Sequence, residues 1–303
     1  MILSVCPHIT VCVCSFKRPH FLKRLLEGLA EQETHQAFSF SVVVADNDVL
    51  ESSKQVVSEC LARLSIDITY CVEPQQNIAL ARNKALQHAT GDYIAFIDDD
   101  EFPGNGWLLS LFRVLSTKPV DGVLGPVVPH FDQPPPGWVV RGKFYDRPRH
   151  ATGFIIDWKE GRTGNVLFKR AILDPIGEPF RAEFGSGGED RDFFRRLIAA
   201  GRVFMWCDEA VAYEVVPPVR CRRGFMLKRA LLRGKMSLNH KTCGLRGVLI
   251  SFIAVPAYSV TLPFMLLLGH HQFMKFLVKA CDHAGRVLAF AGLNPVSETY
   301  VTE

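Results

Sequence analysis

The 303-residue sequence lacks three patterns that would each indicate a familiar class of protein. After the first apolar run it reads SFKRP (15–19), where a dinucleotide-binding fold needs G-x-G-x-x-G. None of its nine cysteines forms a C-x-x-C pair, so we expect reduced core thiols in a cytosolic setting, with neither a disulfide framework nor a zinc site. The N-terminal stretch 1–16 has no basic start and no small-residue cleavage site, so we expect no signal peptide.

Acidic residues are absent from one long stretch of the chain. The net charge is only +4, which argues against a general nucleic-acid binder. From Val215 to Cys281, however, there is no Asp or Glu, while nine basic residues fall between positions 220 and 246. Such a basic segment suits an anionic surface.

The segment 247–268 carries no charge and follows directly on the basic stretch. Its 22 residues are long enough to cross a hydrocarbon core of ~30 Å. Pro256 and Pro263 are expected to kink it, so a re-entrant or interfacial hairpin with 272–292 is a second interpretation. A buried core helix is a third. We expect membrane contact through 220–292, with the basic flank and the domain before it on the cytoplasmic side.

The first hundred residues alternate between strand and helix patterns. Each apolar, β-branched run is followed by a stretch with helical spacing of apolar residues, and single helices between strands imply a mainly parallel sheet covered on both faces. The predicted strands are 8–15, 40–45, 66–72 and 93–97, with further strands at 121–129, 163–169 and 203–216. Helical patterns occupy 21–29, 56–64, 77–89 and 185–200.

Three of these strands end in polar clusters, which are CSFKR (14–18), DND (46–48) and DDDE (98–101). Ligands of an open parallel sheet bind outside the carboxyl ends of its strands, so the clusters are expected to converge at one edge. Oxygen ligands suit a hard divalent ion such as Mg²⁺ or Mn²⁺. Asp98 and Asp100, two residues apart, are candidate metal ligands. An acidic loop without a ligand is the alternative.

Other candidate positions have two interpretations each. Asp46 and Asn47 either end a strand with a turn or bind the edge of a base. Arg82 lies mid-helix and either extends to water or faces a diphosphate. Glu189 and Asp190 follow a glycine-rich stretch at a predicted helix start, where they either complement the helix dipole or provide a general base.

Taken together, the motifs resemble family 2 glycosyltransferases of GT-A fold over roughly residues 8–216. They are VCVCSFKRP, VVVADND, NIALARNKAL, ATGDYIAFIDDDE, TGNVLFKR and GGEDRDFFRRL, in that order. The stretch YEVVPPVR (213–220) and the basic 221–235 are similar to bacterial exopolysaccharide glycosyltransferases of the succinoglycan type. The resemblance implies a transferase domain over 1–219, with a nucleotide-binding half to about 105 and an acceptor half to 219, followed by a membrane-associating region over 220–303.

The resemblance also implies a role for each matched residue. The donor, for which a UDP-sugar is favoured, would be bound by Ser15, Asp46, Asn47, Arg82, Asp98 and Asp99. The metal, Mg²⁺ or Mn²⁺, would be bound by Asp98 and Asp100. Asp190 would be the base, with Glu189 beside it. This chain has Asn47 where family members commonly carry a second aspartate, so the resemblance leaves the base contact, and with it the choice of UDP over another donor, open.

The implied reaction is an inverting transfer of a hexose to a hydroxyl of a lipid-linked glycan, at the cytoplasmic face of the bacterial inner membrane. The alternatives are transfer to a polyprenyl phosphate and an inactive membrane scaffold with a transferase-like domain. A phosphatase of the haloacid dehalogenase type also places aspartates after a strand. It does so on its first core strand, whereas here they follow several βα units.

Overall fold

A computed structural model of the chain describes residues 6–185, 187–239, 244–294 and 296. Within these residues, the strands are β1 (His8–Ser15), β2 (Ser39–Asp46), β3 (Ile68–Val72), β4 (Tyr93–Ile97), β5 (Glu101–Pro103), β6 (Gly122–Leu124), β7 (Val127–His130), β8 (Asn165–Lys169), β9 (Phe204–Trp206) and β10 (Ala212–Val215). The helices are α1 (Pro19–Ala30), α2 (Lys54–Arg63), α3 (Ile78–His88), α4 (Trp107–Thr117), α5 (Gly137–Gly142), α6 (Glu189–Ala199), α7 (Arg223–Met236), α8 (Gly244–Leu267) and α9 (His270–Phe290).

A seven-stranded sheet in the order β3-β2-β1-β4-β8-β6-β9 forms the centre of the fold. The first four strands of that order are parallel neighbours, while β8 is antiparallel to both β4 and β6. The prediction of a mainly parallel sheet is confirmed. A second sheet has the order β5-β10-β7.

The core lies on both faces of the central sheet because side chains of a strand alternate between its faces. Val11 and Val13 belong to a cluster with apolar residues of α1, α2 and α4. Cys12, between them, belongs to a second cluster with residues of α3 and α6. The eight cysteines among the described residues are free thiols, and five of them are buried.

The runs 121–129 and 203–216 each form two short strands that belong to different sheets. Gly125 separates β6 from β7, and a β-carbon there would lie 2.2 Å from the carbonyl oxygen of Ala210. This close backbone approach requires glycine and redirects the chain from the large sheet to the small one.

The chain folds as two compact units. The first comprises the described residues of 1–129 and 147–215, and the second those of 130–146 and 216–303. The grouping of 130–146 with the C-terminal segment was not anticipated. Division of function at residue 219 stays a prediction.

Three long helices make up most of the second unit, and α9 packs against both α7 and α8. Glycines allow close approach of α7 and α9, since a β-carbon at Gly285 would lie 2.1 Å from the Leu231 carbonyl oxygen. Helix α8 continues through Pro256 and Pro263. Among the described residues, Leu245–Leu267 is the one helix long and apolar enough to cross a membrane.

Candidate active site

The carboxyl ends of β1, β2 and β4 meet at one edge of the central sheet, as expected. Ser15 is paired with Asp46 in the register of β1 and β2. The backbone N–H of Phe16 donates to Asp99 Oδ2 at 3.3 Å, which joins the end of β1 to the end of β4. The three polar clusters of the sequence therefore form one site.

Asp46 and Asn47 are buried and hydrogen-bonded to the chain itself. Asp46 accepts from the backbone N–H of Ser53 at 2.7 Å and from the Tyr70 hydroxyl at 2.9 Å. The Asn47 amide donates to two backbone carbonyls of the loop after β3, and its oxygen accepts from the N–H of Asn77 at 2.9 Å. Both side chains thus connect the end of β2 to the segments packed around it, and their contact with a base stays a prediction.

Ser15 ends β1 and Arg18 follows it at the same edge, and Ser15 lies beside Asp46. The Ser15 hydroxyl is buried and accepts from the Ser53 hydroxyl at 3.0 Å. The Arg18 guanidinium donates to Asp99 Oδ1 at 3.3 Å and to Asp100 Oδ2 at 3.2 Å. The cluster CSFKR (14–18) was expected at this edge, but no individual role was predicted for Arg18, since nothing in its local sequence indicates that it reaches β4.

Arg82 connects the aspartate cluster to the start of α6. Helix α3 begins at Ile78 because the Asn77 side chain accepts from the N–H groups of Ala79 and Leu80. One turn later, Arg82 donates to Glu189 through Nη1 and to Asp98 Oδ1 through Nη2, the latter at 3.2 Å. The Arg82 and Glu189 side chains are each only 7% exposed, so this is a buried ion pair.

Glu189 and Asp190 differ sharply in their surroundings. Oε2 of Glu189 is buried with no hydrogen-bond partner among the described residues, while its Oε1 binds Arg82. Asp190 is partly exposed, and its Oδ1 accepts from the N–H of Arg191 at 2.7 Å. Ser186, in the preceding glycine-rich stretch, lies outside the described residues.

Glu101, the last residue of the DDDE cluster, is a further carboxylate of the site, to which the sequence assigned no individual role. It begins β5, is 2% exposed, and accepts from the N–H of Asp98 at 3.3 Å. A β-carbon at Gly164 would lie 2.8 Å from Glu101 Oε1 and 3.0 Å from Asp98 Oδ2, so both carboxylates face the same small space. The TGN motif at the start of β8 lines that space because β8 runs antiparallel to β4.

Burial and mutual repulsion raise the pKa of carboxyls in this cluster. Burial raises the pKa of Asp99 to about 7, although the Arg18 guanidinium opposes the rise. The pKa of Glu101 is raised well above its usual range, first by burial and then by the charge of Asp98. Burial also raises the pKa of Glu189, against the lowering influence of Arg82. The buried carboxyls of the cluster therefore favour their protonated form unless a positive charge compensates them.

The donor set fits a hard divalent cation. The convergence of Asp98 and Glu101 on the space beside Gly164 provides oxygen ligands of the right kind. No group of three or more His, Cys, Asp or Glu side chains in the described parts of the chain is arranged to enclose a metal. Such a cation is commonly held by one or two carboxylates together with substrate phosphates. The site offers two carboxylates that face one space, which suits a cation held in this way.

Comparison with known proteins assigns the family. The sequence pattern of Glycosyl transferase family 2 matches residues 10–176. The chain is similar along almost its whole length to the succinoglycan biosynthesis protein ExoM of Rhizobium meliloti. The two are 32% identical over 96% of this chain and 95% of ExoM. The chain belongs to glycosyltransferase family 2.

This family 2 glycosyltransferase is thus an enzyme that transfers a sugar from a nucleotide-sugar donor in glycan synthesis, as the motifs predicted. The hyaluronan synthase of Pasteurella multocida is also similar, with 25% identity over 69% of this chain, but it is far longer, and the match covers 25% of it.

Solved structures confirm the GT-A-like fold. The mannosyltransferase PcManGT of Pyrobaculum calidifontis, in complex with GDP-Man and Mn²⁺, superposes with a TM-score of 0.63 at 17% identity, covering 95% of this chain and 88% of that one. The S. aureus TarS structure in complex with UDP-GlcNAc has a TM-score of 0.53 at 20% identity, covering 69% of this chain and 58% of that one. At these identities the likeness concerns the fold.

Proposed function

We propose that this glycosyltransferase performs a metal-assisted, inverting transfer of a hexose to a hydroxyl of a glycan acceptor, with Asp190 as the base. The observation that supports this assignment is the contrast between the adjacent carboxylates. Glu189 is buried against Arg82, whereas Asp190 is partly exposed in the first turn of α6. A base for an acceptor must be reachable by that acceptor.

The reaction is a single displacement. Asp190 accepts the proton of the acceptor hydroxyl, and the hydroxyl oxygen forms a bond to the anomeric carbon. The bond from that carbon to the diphosphate oxygen breaks on the opposite side, and its electron pair leaves with the diphosphate. The configuration at the anomeric carbon is therefore inverted.

The donor is a nucleotide-sugar, for which we favour a UDP-sugar, bound at the edge formed by Ser15, Asp46 and Asn47. Asp98 and Asp100 would hold Mg²⁺ or Mn²⁺, with Glu101 facing the same space as Asp98. The ion would supply positive charge for the departing diphosphate. Asp99 keeps Arg18 and the end of β1 in place. Arg82 faces the diphosphate and positions Glu189 and Asp98. The complexes of PcManGT with GDP-Man and Mn²⁺ and of TarS with UDP-GlcNAc support a donor and a metal of these classes.

The acceptor is a lipid-linked glycan in exopolysaccharide synthesis, and the enzyme acts at the cytoplasmic face of the bacterial inner membrane. Similarity to ExoM, a succinoglycan biosynthesis protein, supports the pathway class. The apolar helix α8 and the basic segment before it support the location.

The test separates donor binding from transfer. Asp190→Asn is expected to bind the nucleotide-sugar with Mn²⁺ as the wild type does, measured by calorimetry, and to transfer its sugar at least a thousandfold more slowly to a lipid-linked glycan. The matched control is Asp157→Asn, a change at an exposed aspartate of the same unit. Unchanged transfer by Asp190→Asn would reject Asp190 as the base and favour a polyprenyl phosphate, an acceptor that needs no strong base.

A further inference from the structure

Helix α8 leaves most of its apolar surface uncovered. Only 11% of the apolar window within Leu245–Leu267 is buried inside the protein. Ile253 is 73% exposed and Leu267 is 85% exposed, near the middle and the end of the helix. A surface of this size and character requires a partner.

Helix α9 packs along α8 and shares whatever environment α8 occupies. The two helices are joined at Gly269 and contact each other through polar and aromatic groups. Arg286 donates to the Ser251 hydroxyl at 2.9 Å, and the Tyr258 ring packs on Phe276 with centroids 5.6 Å apart. These contacts extend from Phe276, in the N-terminal half of α9, to Arg286 near its C-terminal end.

The composition of α9 is incompatible with the interior of a bilayer. It carries Lys275, Lys279, Asp282 and Arg286, and Asp282 forms a two-point ion pair with Arg233 of α7 at 2.7 and 2.8 Å. Each charge at the centre of a bilayer lowers the insertion equilibrium by about a hundredfold. If α8 crossed the membrane, α9 would carry these charges into hydrocarbon.

The charge of the second unit matches an anionic lipid surface. Over 130–146 and 216–303 there are 14 Lys and Arg against five Asp and Glu, a net charge of +9. The remaining residues carry a net charge of −5. Arg246 is exposed in the first turn of α8, and Arg222 and Arg223 are exposed at the start of α7. Basic groups beside an apolar helix surface are typical of helices that lie at an anionic interface.

We propose that α8 lies within one leaflet of an anionic bilayer without crossing it, and that the α8–α9 turn stays on the side of the transferase domain. Its exposed apolar face occupies the acyl boundary, while α9 and α7 remain at headgroup level. The inference deepens the membrane association of the proposed function and is independent of its sugar-transfer chemistry.

The position of the α8–α9 turn decides between the two arrangements. A protease site is inserted between Gly269 and His270, and the purified full chain is added to preformed vesicles of phosphatidylcholine with one quarter phosphatidylglycerol. External protease is expected to cleave this site as fast as the same site inserted between His35 and Gln36 of the first unit. Protection of the 269 site until detergent is added would overturn the proposal.

A lysine scan provides a second measurement that needs no insertion. In a leaflet-bound helix, Ile253→Lys and Leu267→Lys are each expected to weaken vesicle binding at least tenfold. In a spanning helix, position 267 lies at the far interface and tolerates lysine, so a loss at 253 alone would overturn the proposal. The matched control is Leu50→Lys, at a 78% exposed leucine of the first unit, which is expected to leave binding unchanged.

Lipid composition tests the choice of partner. Binding is expected to fall at least tenfold on vesicles of pure phosphatidylcholine or at high salt, since the attraction includes the charge of the second unit. No binding to either vesicle, with dimers formed through α8 in solution, would reject both this proposal and the membrane association, while leaving donor binding intact.

Discussion

Glu189 and Asp190 are neighbours in the sequence, but helix geometry gives them different environments. Successive helical residues are about 100° apart around the axis, so Glu189 is buried while Asp190 is partly exposed. Arg82 lies on the buried side and pairs with Glu189. Without Arg82, the negative charge of the buried Glu189 would have no compensating positive charge. The pair shows how a single arginine on α3 assigns two adjacent acids to structure and to chemistry.

Replacing Glu189 by glutamine is expected to destabilise the protein. Arg82 would lose its closest negative partner while remaining buried, and breaking such a pair costs about 3 kcal/mol. Chemical denaturation would measure the change in the free energy of unfolding. Glu183→Gln, at an exposed glutamate of the same loop region, is the control and is expected to change stability by less than about 0.5 kcal/mol. Equal stability of both variants would contradict the importance of the buried pair.

The raised pKa of Asp99 predicts a pH dependence of stability. A carboxyl titrates near pH 3.9 when unfolded and at about 7 here, so the folded protein holds its proton more tightly. This stabilising effect is fully present below about pH 4 and is lost as the pH rises through 7. In the absence of metal, the free energy of unfolding of the wild type is therefore expected to fall by about 2 kcal/mol relative to that of Asp99→Asn as the pH rises from 5 to 7.

Denaturation in EDTA at several pH values would measure this difference. Asp208→Asn is a control of opposite sign, because hydrogen bonding to Arg149 lowers the pKa of Asp208. The contribution of Asp208 is present above its ordinary pKa and is lost only as the pH falls through the lowered value. The difference in unfolding free energy between Asp208→Asn and wild type is therefore expected to stay constant between pH 5 and 7. A flat difference for Asp99→Asn as well would show that Asp99 ionises normally.

At the scale of elements, the start of β8 controls the carboxylate cluster. Gly164→Ala would press a methyl group against the ends of the Glu101 and Asp98 side chains, displacing them from their shared space. Because these are flexible side-chain ends, stability is expected to fall by less than about 1 kcal/mol, while affinity for a nucleotide diphosphate with Mn²⁺ falls about tenfold.

Gly125→Ala provides the contrast to that change. There the methyl group would meet the backbone carbonyl oxygen of Ala210 at 2.2 Å, which cannot move alone. It is expected to destabilise the protein by about 2 to 3 kcal/mol. Calorimetry on both variants would measure the loss of nucleotide affinity, and denaturation would measure the loss of stability. Normal nucleotide affinity in Gly164→Ala would show that the space shared by Glu101 and Asp98 is not part of the donor site.

The sequence predicted the parallel half of the fold well, because β1 and β4 are apolar runs ended by unmistakable polar residues. Their observed bounds, His8–Ser15 and Tyr93–Ile97, equal the predicted ones. The antiparallel insertion of β8 between β4 and β6 was not predictable, since pairing direction depends on distant strands. For the same reason, the contacts of Arg18 and Glu101 in the site came only from the structure, although both residues belong to polar clusters predicted for that edge.

At the scale of the whole molecule, ligand binding is expected to show as thermal stabilisation. A complex of Mn²⁺ with a nucleoside diphosphate, present at a hundredfold excess over its dissociation constant, should add about 2.7 kcal/mol and raise Tm by several degrees. EDTA is expected to reverse the shift, and Asp100→Ala to abolish it, while Asp208→Asn retains it. A full shift in Asp100→Ala would exclude Asp100 as a metal ligand.

The division of charge between the two units has a practical consequence for handling the protein. A sequence pI of about 8.6 suggests a simple basic protein that binds only cation-exchange resin at neutral pH. With +9 on one unit and −5 on the other, the chain instead presents both signs to a chromatographic medium. We expect retention on anion and cation exchangers alike, and self-association at low ionic strength that moderate salt disperses.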